Sequence, residues 1–479
     1  MEANILKTIL SYMMISNFLL FPEVALSKPL DEIHLTADSN LLYGENGIYT
    51  NPKKNGREWE IPGAYIFKDA SGSVKAAGDI GLRIHGGSSR SRGAKKSLKI
   101  YFRDDYGQKS LPFDLFNRGE DPFIKSKTRK IVLRAGFNDS WNYDRDNGRN
   151  GQKRLASYIK DQVARDLSED MGMLSSRGVF VQVYLNKKYI GLFNAVEAID
   201  EDNFSVKGVK KSQITIMSSN ELKNGSESDW SALMASLDSM DYSSDSFYDL
   251  VAENLDMENF TSYVLLNAYL QNYDWPKHNW KAVKFGPLQK WKFMMWDVEY
   301  SFGSGNKGFK KDLNIFDIIK SQPGPLPMLI SALLKNRKFV KKLSERYEKS
   351  KEILKESKIS LKINGYASEI KEAIEVEGKL VGVRYGLREW KRALDKMYEF
   401  LYSRTNPFEM HLNDLQEKYS DSIICESKDF AFNKCFLSDK KIISVIQLSQ
   451  SKCVKDTSWG LDEQYIWVNK GCRAEFRVF

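Results

Sequence analysis

Asn272-Tyr-Asp-Trp-Pro-Lys-His-Asn-Trp280 and Trp296-Asp-Val-Glu-Tyr-Ser-Phe-Gly303 are the two stretches on which the interpretation of this chain depends. The first ends a predicted helix over 256–271, and the second follows the apolar run 291–296, which predicts a short buried strand. Asp274 and Asn279 stand five residues apart, and Asp297 follows Asp274 by 23 residues. An Asp directly after an apolar strand is well placed to hold a hard cation such as Mg²⁺. Taken singly, Asp274 and Asn279 are better explained as a polar Asx turn that ends the helix, and Asp297 is also reasonably explained as a cap of the next turn.

A third stretch, 82–102, consists of a strand, a glycine-serine turn, basic residues and a second strand. Backbone N–H groups of the turn around Ser88 and Ser89 would cradle phosphate oxygens, and Lys95 or Lys96 would neutralise phosphate charge. Alone, this pattern favours an ordinary hairpin. Followed by Asp-x4-Asn and then a strand-ending Asp, it has the order of parts found in protein kinases.

The rest of the chain divides into a strand-rich half and a helical half. Strands are predicted at 33–37, 59–67, 96–102, 131–134, 179–185 and 190–196. Helices are predicted at 155–171, 228–240, 256–271, 336–357 and 386–403, with a break at Asn406–Pro407. This order predicts an α+β fold of two lobes with a cleft between them.

The N-terminus predicts export. Lys7, the apolar run 9–21 and the small residues Ala25 and Ser27 form a signal peptide over residues 1–27. Pro22 and Glu23 argue against the alternative, an uncleaved anchor helix. Since no other stretch approaches about 18 consecutive apolar residues, no membrane span is expected after cleavage. The mature protein would be periplasmic, bound at the cell surface or secreted.

The cysteines agree with export. The four cysteines, Cys425, Cys435, Cys453 and Cys472, all lie near the C-terminus. Two local disulfides are expected, and three connectivities exist, of which we predict pairing of neighbours, Cys425–Cys435 and Cys453–Cys472. A zinc site is the weaker alternative, because the segment has no CxxC motif and no His.

The net charge and the distribution of basic residues limit the classes of partner that we expect. The chain of 479 residues has 72 Lys and Arg against 63 Asp and Glu, a formal charge of +9. The basic residues are dispersed, and no basic stripe with interleaved aromatic residues is present. No specific nucleic-acid partner is therefore predicted.

These motifs together resemble the CotH (spore coat protein H) kinase family over roughly residues 33–405. The resemblance is carried by 83–102, Leu133-Arg-Ala-Gly-Phe-Asn-Asp139, 184–200, 272–279 and 296–303. It implies an atypical, two-lobed protein kinase that transfers the γ-phosphoryl group of ATP to Ser or Thr of an extracytoplasmic protein, using Mg²⁺ or Mn²⁺. The resemblance assigns roles as follows: Asp274 and Asp297 catalytic, Asn279 and Asp297 metal-binding, and Lys96, Lys95, Glu197, Ser88 and Ser89 ATP-binding, with Glu197 paired to one of the lysines.

Departures from the family pattern keep a second hypothesis open. Lys187-Lys188 replaces the expected Gly-Glu, Glu299 stands where Asp is common, and His85 and Gly87 stand where Arg or Asn is frequent. The alternative is a catalytically inactive, kinase-like coat or envelope-binding protein.

The tail 415–479 resembles a small four-cysteine module of exported bacterial proteins whose function is uncharacterised. Trp459 and Trp467 would either fill its small core, which we favour, or form a face for a glycan or the cell envelope. The predicted organisation is therefore a signal peptide (1–27), a β-rich extension (28–78), the kinase-like domain (79–407) and this module (415–479).

Overall fold

The computed structural model describes residues 29–117, 123, 127–142, 152–204, 206, 208–305, 308–381, 385–438 and 440–479. The predicted signal peptide lies outside these residues. Within them, no helix has both the length and the apolar character needed to cross a bilayer. Helices and several sheets are mixed along the chain, which confirms the α+β class.

A closed barrel occupies the first part of the chain. Its strands are β1 Asp31–Ala37, β2 Ile61–Lys68, β3 Val74–His85, β4 Ser97–Tyr101, β5 Lys130–Arg134, β6 Gly178–Leu185 and β7 Lys188–Glu197. They pair in the order β1-β2-β3-β4-β5-β7-β6, and a parallel β1–β6 pairing closes the ring. The predicted extension 28–78 therefore supplies β1, β2 and the start of β3 to the same barrel that contains β4 and β5.

Alternation along the strands decides which side chains fill the barrel. Ile84, Leu98 and Leu133 belong to its buried core. Because successive side chains of a strand point to opposite faces, Lys99 and Arg134 project from the outer face. The outward Val132 and Val196 pack against Trp296, which directly precedes Asp297, so this outer face is covered by the segment that carries the acidic motif.

The remaining elements form a small sheet and a helical body. The sheet has the order β11-β10-β8-β9, from β8 Ile214–Ser218, β9 Glu221–Asn224, β10 Trp280–Phe285 and β11 Lys292–Met295. A short hairpin follows, β12 Ser304–Gly305 and β13 Gly308–Phe309. The helices are α1 Ser39–Tyr43, α2 Ser89–Arg92, α3 Lys160–Asp170, α4 Ser228–Leu237, α5 Asp245–Asn254, α6 Met257–Tyr269, α7 Ile315–Ser321, α8 Pro325–Leu333, α9 Arg337–Ser350, α10 Glu356–Val381 and α11 Leu387–Glu417.

Several predicted helix bounds are wrong for local reasons. The helix predicted from Leu155 begins at Lys160, because the Asp139 carboxylate accepts hydrogen bonds from the backbone N–H groups of Ser157 and Lys160 and holds the preceding turn out of the helix. The helix predicted over 336–357 ends at Ser350, and the long α10 follows separately.

The predicted break at Asn406–Pro407 is also wrong. Helix α11 continues through Pro407 to Glu417. Proline in a helix interior removes one hydrogen bond and disfavours the preceding turn. Burial of Phe408, Leu412 and Leu415 on the same helix outweighs this local cost.

The C-terminal module begins as α11 ends. One of its two sheets contains β14 Asp421–Glu426, β16 Ile442–Gln447 and β19 Arg473–Val478. The other contains β15 Asn433–Phe436, β17 Trp459–Asp462 and β18 Tyr465–Val468. Disulfides join Cys425 to Cys435 and Cys453 to Cys472, which confirms neighbour pairing. Ion pairs Arg337–Asp421 (2.8 Å) and Glu348–Lys441 (2.6 Å) connect α9 to the module.

Removing a disulfide is expected to lower the stability of the C-terminal module. The Cys453–Cys472 bond closes a loop of 19 residues, against 10 for Cys425–Cys435. In the chain-entropy account of disulfides, the double substitution Cys453→Ala/Cys472→Ala should lower the free energy of unfolding of the module by about 3 kcal/mol. Urea-dependent proteolysis read by mass spectrometry measures this loss. Dithiothreitol should destabilise the wild-type module at least as much, and an unchanged midpoint in the variant would contradict the expectation.

Candidate functional site

Two of the acidic-motif residues are brought together by strand pairing. Trp280 at the start of β10 pairs with Met295 at the end of β11. Asn279 and Asp297 therefore lie side by side, and Asn279 Nδ2 donates to the backbone carbonyl of Asp297 at 3.1 Å. Both residues have positive φ, 60° and 59°, a conformation that Asn and Asp adopt more readily than most residues. The Asn279 carboxamide oxygen is not used in this hydrogen bond.

Asp274 belongs to the same site. The backbone N–H of Tyr273 donates to the carbonyl of Tyr300 at 2.9 Å, which ties the Asp274 segment to the segment after Asp297. Burial, followed by the negative charge of Asp297, raises the pKa of Asp274 to about 6. The two predicted catalytic carboxylates are thus close enough to repel each other.

Arg134, on the outer face of the barrel, contacts three carboxylates. Its Nη2 lies 2.6 Å from Asp297 Oδ1 and 2.7 Å from Glu299 Oε1, and its Nε lies 3.4 Å from Asp161 Oδ2. Asp161, in the first turn of α3, also accepts from the backbone N–H of Val298 at 2.9 Å. The Arg134 guanidinium therefore fixes the Asp297 segment against the barrel and against α3.

Glu299 is a buried acid in a crowded negative environment. Burial, followed by the charge of Asp297, raises its pKa to about 8, although Arg134 opposes the shift and the backbone N–H of Asn138 donates to Oε2 at 2.5 Å. Asp161, Asp274, Asp297 and Glu299 outnumber the two guanidinium groups that contact members of this set, Arg134 and Arg165. A bound cation or a proton would relieve this excess.

The donor set suits a magnesium ion that arrives with phosphates. Among the residues that the structure describes, no group of three or more His, Cys, Asp or Glu is arranged to hold a metal. Mg²⁺ is usually bound through one or two carboxylates, with substrate phosphates and water completing its shell. Asp297, one-third exposed, together with the Asn279 carboxamide oxygen, fits that pattern.

The predicted phosphate-binding lysines make other contacts. Lys95 Nζ lies 2.5 Å from Glu377 Oε1 and donates to the Leu192 carbonyl at 2.8 Å, which joins the barrel to α10. Lys96 Nζ donates to the Gly93 carbonyl at 2.6 Å, within the turn itself. Glu197, at the end of β7, accepts from the backbone N–H of Arg177 at 2.8 Å.

The glycine-serine turn folds into one helical turn. Ser88 precedes α2, and Ser89 begins it, between the antiparallel strands β3 and β4. Arg90 anchors this turn by donating to the carbonyls of Gly86 at 2.6 Å and Lys54 at 2.9 Å.

A second group of cations, absent from the predicted site, lies on the neighbouring barrel face and small sheet. Lys99 on β4 donates to Asp200 at 2.9 Å. Lys281 on β10 follows Asn279 by two residues, and its Nζ lies 4.9 Å from the centre of the Trp296 ring. Burial, followed by repulsion from Lys99, lowers the pKa of Lys281 to about 8.

His85, at the start of the glycine-serine turn, feels the same positive field. Burial and the charges of Lys99, Arg134, Lys281 and Arg90, in that order, hold its pKa well below the usual range. These cations come from β4, β5, β10 and α2, so the turn, the barrel face and the small sheet converge here. Several cations beside a carboxylate pair form an arrangement suited to a polyphosphate with its metal ion.

Comparison with known proteins identifies the family of the chain. A family model described as CotH kinase protein matches residues 82–407, a range that contains the candidate catalytic, metal-binding and ATP-binding residues. The chain belongs to the CotH kinase family. A second model, described as a protein of unknown function (DUF3011), matches residues 402–476. No curated protein matches the chain. The CotH match begins within β3, so β1 and β2 of the barrel precede it.

The raised pKa of Glu299 predicts how stability depends on pH. Because its folded-state pKa of about 8 lies above the ordinary value of 4.5, the folded chain holds this proton more tightly than the unfolded chain. That stabilisation is complete below pH 4.5 and is lost as the pH rises through 8. Relative to Glu299→Gln, the wild type should lose about 1 kcal/mol or more between pH 5 and pH 8.

Urea unfolding at the two pH values, with EDTA present, measures this difference. Glu221→Gln is the matched control, since its side chain is 71% exposed and should show no pH-dependent difference from the wild type. Parallel pH profiles for the wild type and Glu299→Gln would contradict the buried, proton-binding state of Glu299.

Proposed function

We propose that this chain is an exported CotH-type protein kinase that transfers the γ-phosphoryl group of ATP to Ser or Thr of an extracytoplasmic protein. The observation that carries the proposal is the joining of Asp297 to Asn279 and Arg134 beside Asp274, with Lys281 two residues after Asn279. The two disulfides support export, because such bonds persist in oxidising compartments. The protein would act in the periplasm, at the cell surface or after secretion.

The proposed architecture has two lobes. The barrel has its own buried core, and most of the helices surround a second core. Lys99 and Arg134 come from the first body, whereas Asn279, Lys281 and Asp297 come from the second. A nucleotide between the two bodies would meet cations from both of them and metal-binding oxygens from the second.

Each residue has a defined task in this mechanism. As Asp274 accepts the proton of the Ser or Thr hydroxyl, the hydroxyl oxygen bonds to the γ-phosphorus. The bond from that phosphorus to the β–γ bridging oxygen breaks, and ADP leaves. Asp297 and Asn279 would hold Mg²⁺ or Mn²⁺, which supplies neutralisation of the phosphate charge. Lys99 and Lys281 join Lys95 and Lys96 as candidates for phosphate contact, and the turn at Ser88 and Ser89 would cover the nucleotide.

A catalytically inactive, kinase-like binding protein is the second candidate, favoured by one contact. Arg134 already neutralises Asp297 Oδ1, the side chain on which metal binding depends. If the guanidinium substitutes for the metal, the chain would retain the fold without catalysis.

Nucleotide binding and phosphate transfer separate these candidates. Purified full-length protein should bind ATP more tightly with Mg²⁺ or Mn²⁺ than with EDTA, and should incorporate labelled phosphate. Asp274→Asn should retain metal-dependent binding and lose transfer, because it keeps the shape of the side chain but not its basicity. No binding and no incorporation by the wild type would overturn the kinase proposal.

The C-terminal module would contribute attachment to a glycan of the cell envelope. The Trp467 indole lies on Gly460, since a Cβ built there would be 2.5 Å from the ring, and Phe432 stacks beside it at an interplanar angle of 22°. Phe436 and Tyr465 continue this aromatic face, whereas Trp459 packs against Phe476 in the module core. Flat aromatic surfaces with a few polar neighbours suit the apolar faces of sugar rings.

Retention of the full chain on purified peptidoglycan tests this attachment. Trp467→Ala should reduce retention, and Leu288→Ala, which changes a strongly exposed apolar residue outside the module, should not. Equal retention of the two variants would reject the glycan interpretation.

A further inference from the structure

A cavity beside the catalytic segments has walls made by the same two stretches that carry Asp274 and Asp297. It has a volume of about 220 Å³ and is lined by Gln271, Tyr273, Gly303, Ser304, Gly305, Lys310, Leu313 and Ile318. Tyr273 directly precedes Asp274, and the run Gly303–Gly305 follows Asp297 in the same irregular segment. The cavity therefore adjoins the place where the acceptor hydroxyl must lie.

The cavity wall contains a buried hydrogen-bond acceptor that the described residues do not satisfy. Gln271 is 2% exposed, and its Nε2 donates to the carbonyls of Lys311 at 2.9 Å and Leu313 at 3.1 Å. Because both partners are carbonyl oxygens, the amide nitrogen must face them, and this fixes the orientation of the carboxamide. Gln271 Oε1 has no hydrogen-bond partner among the described residues. Because this oxygen has almost no solvent-accessible surface, it is not available to a ligand in the cavity, and Gln271 contributes a fixed part of the wall.

The rest of the lining is suited to an apolar side chain. Leu313 and Ile318 are partly exposed, and Tyr273 packs against Gly305, where a Cβ would lie 3.3 Å from the ring. A peptide substrate of the acidic site offers such a side chain, because residues near the phosphorylated hydroxyl in sequence pass beside the Tyr273 end of the cavity.

We propose that this cavity is a specificity subsite that binds an apolar side chain of the protein substrate, close in sequence to the phosphorylated Ser or Thr. The inference rests on the proposed kinase function and adds to it the class of sequence that is recognised. Since an extended chain advances about 3.3 Å per residue, the apolar residue lies within about three residues of the acceptor.

A series of synthetic peptides tests the subsite. Each has one Ser in a glycine-alanine background, with a single Leu moved through positions −3 to +3. The wild-type full-length protein should show one position at which Leu raises kcat/KM about tenfold, as expected for an apolar pocket. Ile318→Trp, which fills the cavity from the partly exposed α7, should abolish that preference and leave the KM for ATP unchanged. Ile318→Val is the matched control and should keep most of the preference.

The outcomes distinguish this inference from the kinase proposal. Fluorescence anisotropy with the same peptides measures binding without catalysis. If the Leu peptide binds the wild type and not Ile318→Trp while no peptide is phosphorylated, the subsite stands and the kinase proposal fails. The subsite would be overturned, even with efficient transfer, if neither kcat/KM nor peptide affinity depended on the position of Leu. It would also be overturned if Ile318→Trp lowered kcat/KM equally for all peptides.

Discussion

Asp297→Asn is expected to reduce phosphate transfer at least about 10³-fold, because the substitution removes the one charged oxygen ligand that the site offers to the metal. The variant keeps the shape of the side chain and its backbone, so Asn279 can still donate to the carbonyl of residue 297. Metal-dependent enhancement of ATP binding should disappear along with transfer. Incorporation of labelled phosphate and calorimetry with Mg²⁺ or EDTA measure the two effects.

Asp245→Asn is the matched control for this variant. Its side chain is 74% exposed on α5, and the change is chemically the same. It should leave transfer and nucleotide affinity unaltered. Transfer by Asp297→Asn within tenfold of the wild type would mean that the metal is held elsewhere, and would contradict the role assigned to Asp297.

Local patterns predicted most of the barrel. The alternation Leu98-Lys-Ile100 and the apolar run Ile131-Val-Leu133 identify strands, because the inward faces are filled by these residues. The strands β8, β9 and β10 are not among those that the sequence predicts. The predicted helix over 386–403 stops before Pro407, because a sequence rule for proline takes no account of the buried side chains that follow it.

The acids of the site could be predicted, whereas its cations could not. Asp274, Asn279 and Asp297 lie in short motifs whose order is informative by itself, and strand pairing between β10 and β11 brings two of them together. Lys95 and Lys96 are predicted to contact phosphate because they adjoin the glycine-serine turn. Lys99 and Arg134 are distinguished only by the barrel face from which they project.

The arginine shows why the remaining part of the site is not local. Outward projection of Arg134 follows from its place after the inward Leu133. Trp296 covers this face, and Asp161, Asp297 and Glu299 contact the guanidinium there. These contacts depend on residues that lie 27 to 165 positions away along the chain. No periodicity or spacing encodes such a meeting.

Arg134→Met is expected to lower the free energy of unfolding by about 3–5 kcal/mol at pH 8. The substitution removes the guanidinium that Asp161, Asp297 and Glu299 all contact. Asp161 keeps its ion pair with Arg165 at 3.2 Å, whereas Asp297 and the buried Glu299 lose the guanidinium, and a buried charge without its partner is costly. Met keeps much of the volume of the side chain, so the loss reports charge more than packing. Urea unfolding in EDTA measures the free energy of unfolding.

The pH dependence of this loss identifies its cause. With Arg134 absent, Glu299 and Asp274 can take up protons, since the pKa of each is already raised by burial and by Asp297. The penalty should therefore be smaller at pH 5 than at pH 8. Arg57→Met is the matched control, because Arg57 pairs with Asp105 on the surface and its removal should cost less than about 1 kcal/mol at either pH. A loss for Arg134→Met that is equal at pH 5 and pH 8 would show that packing, and not the balance of charge around Asp297, makes this arginine necessary.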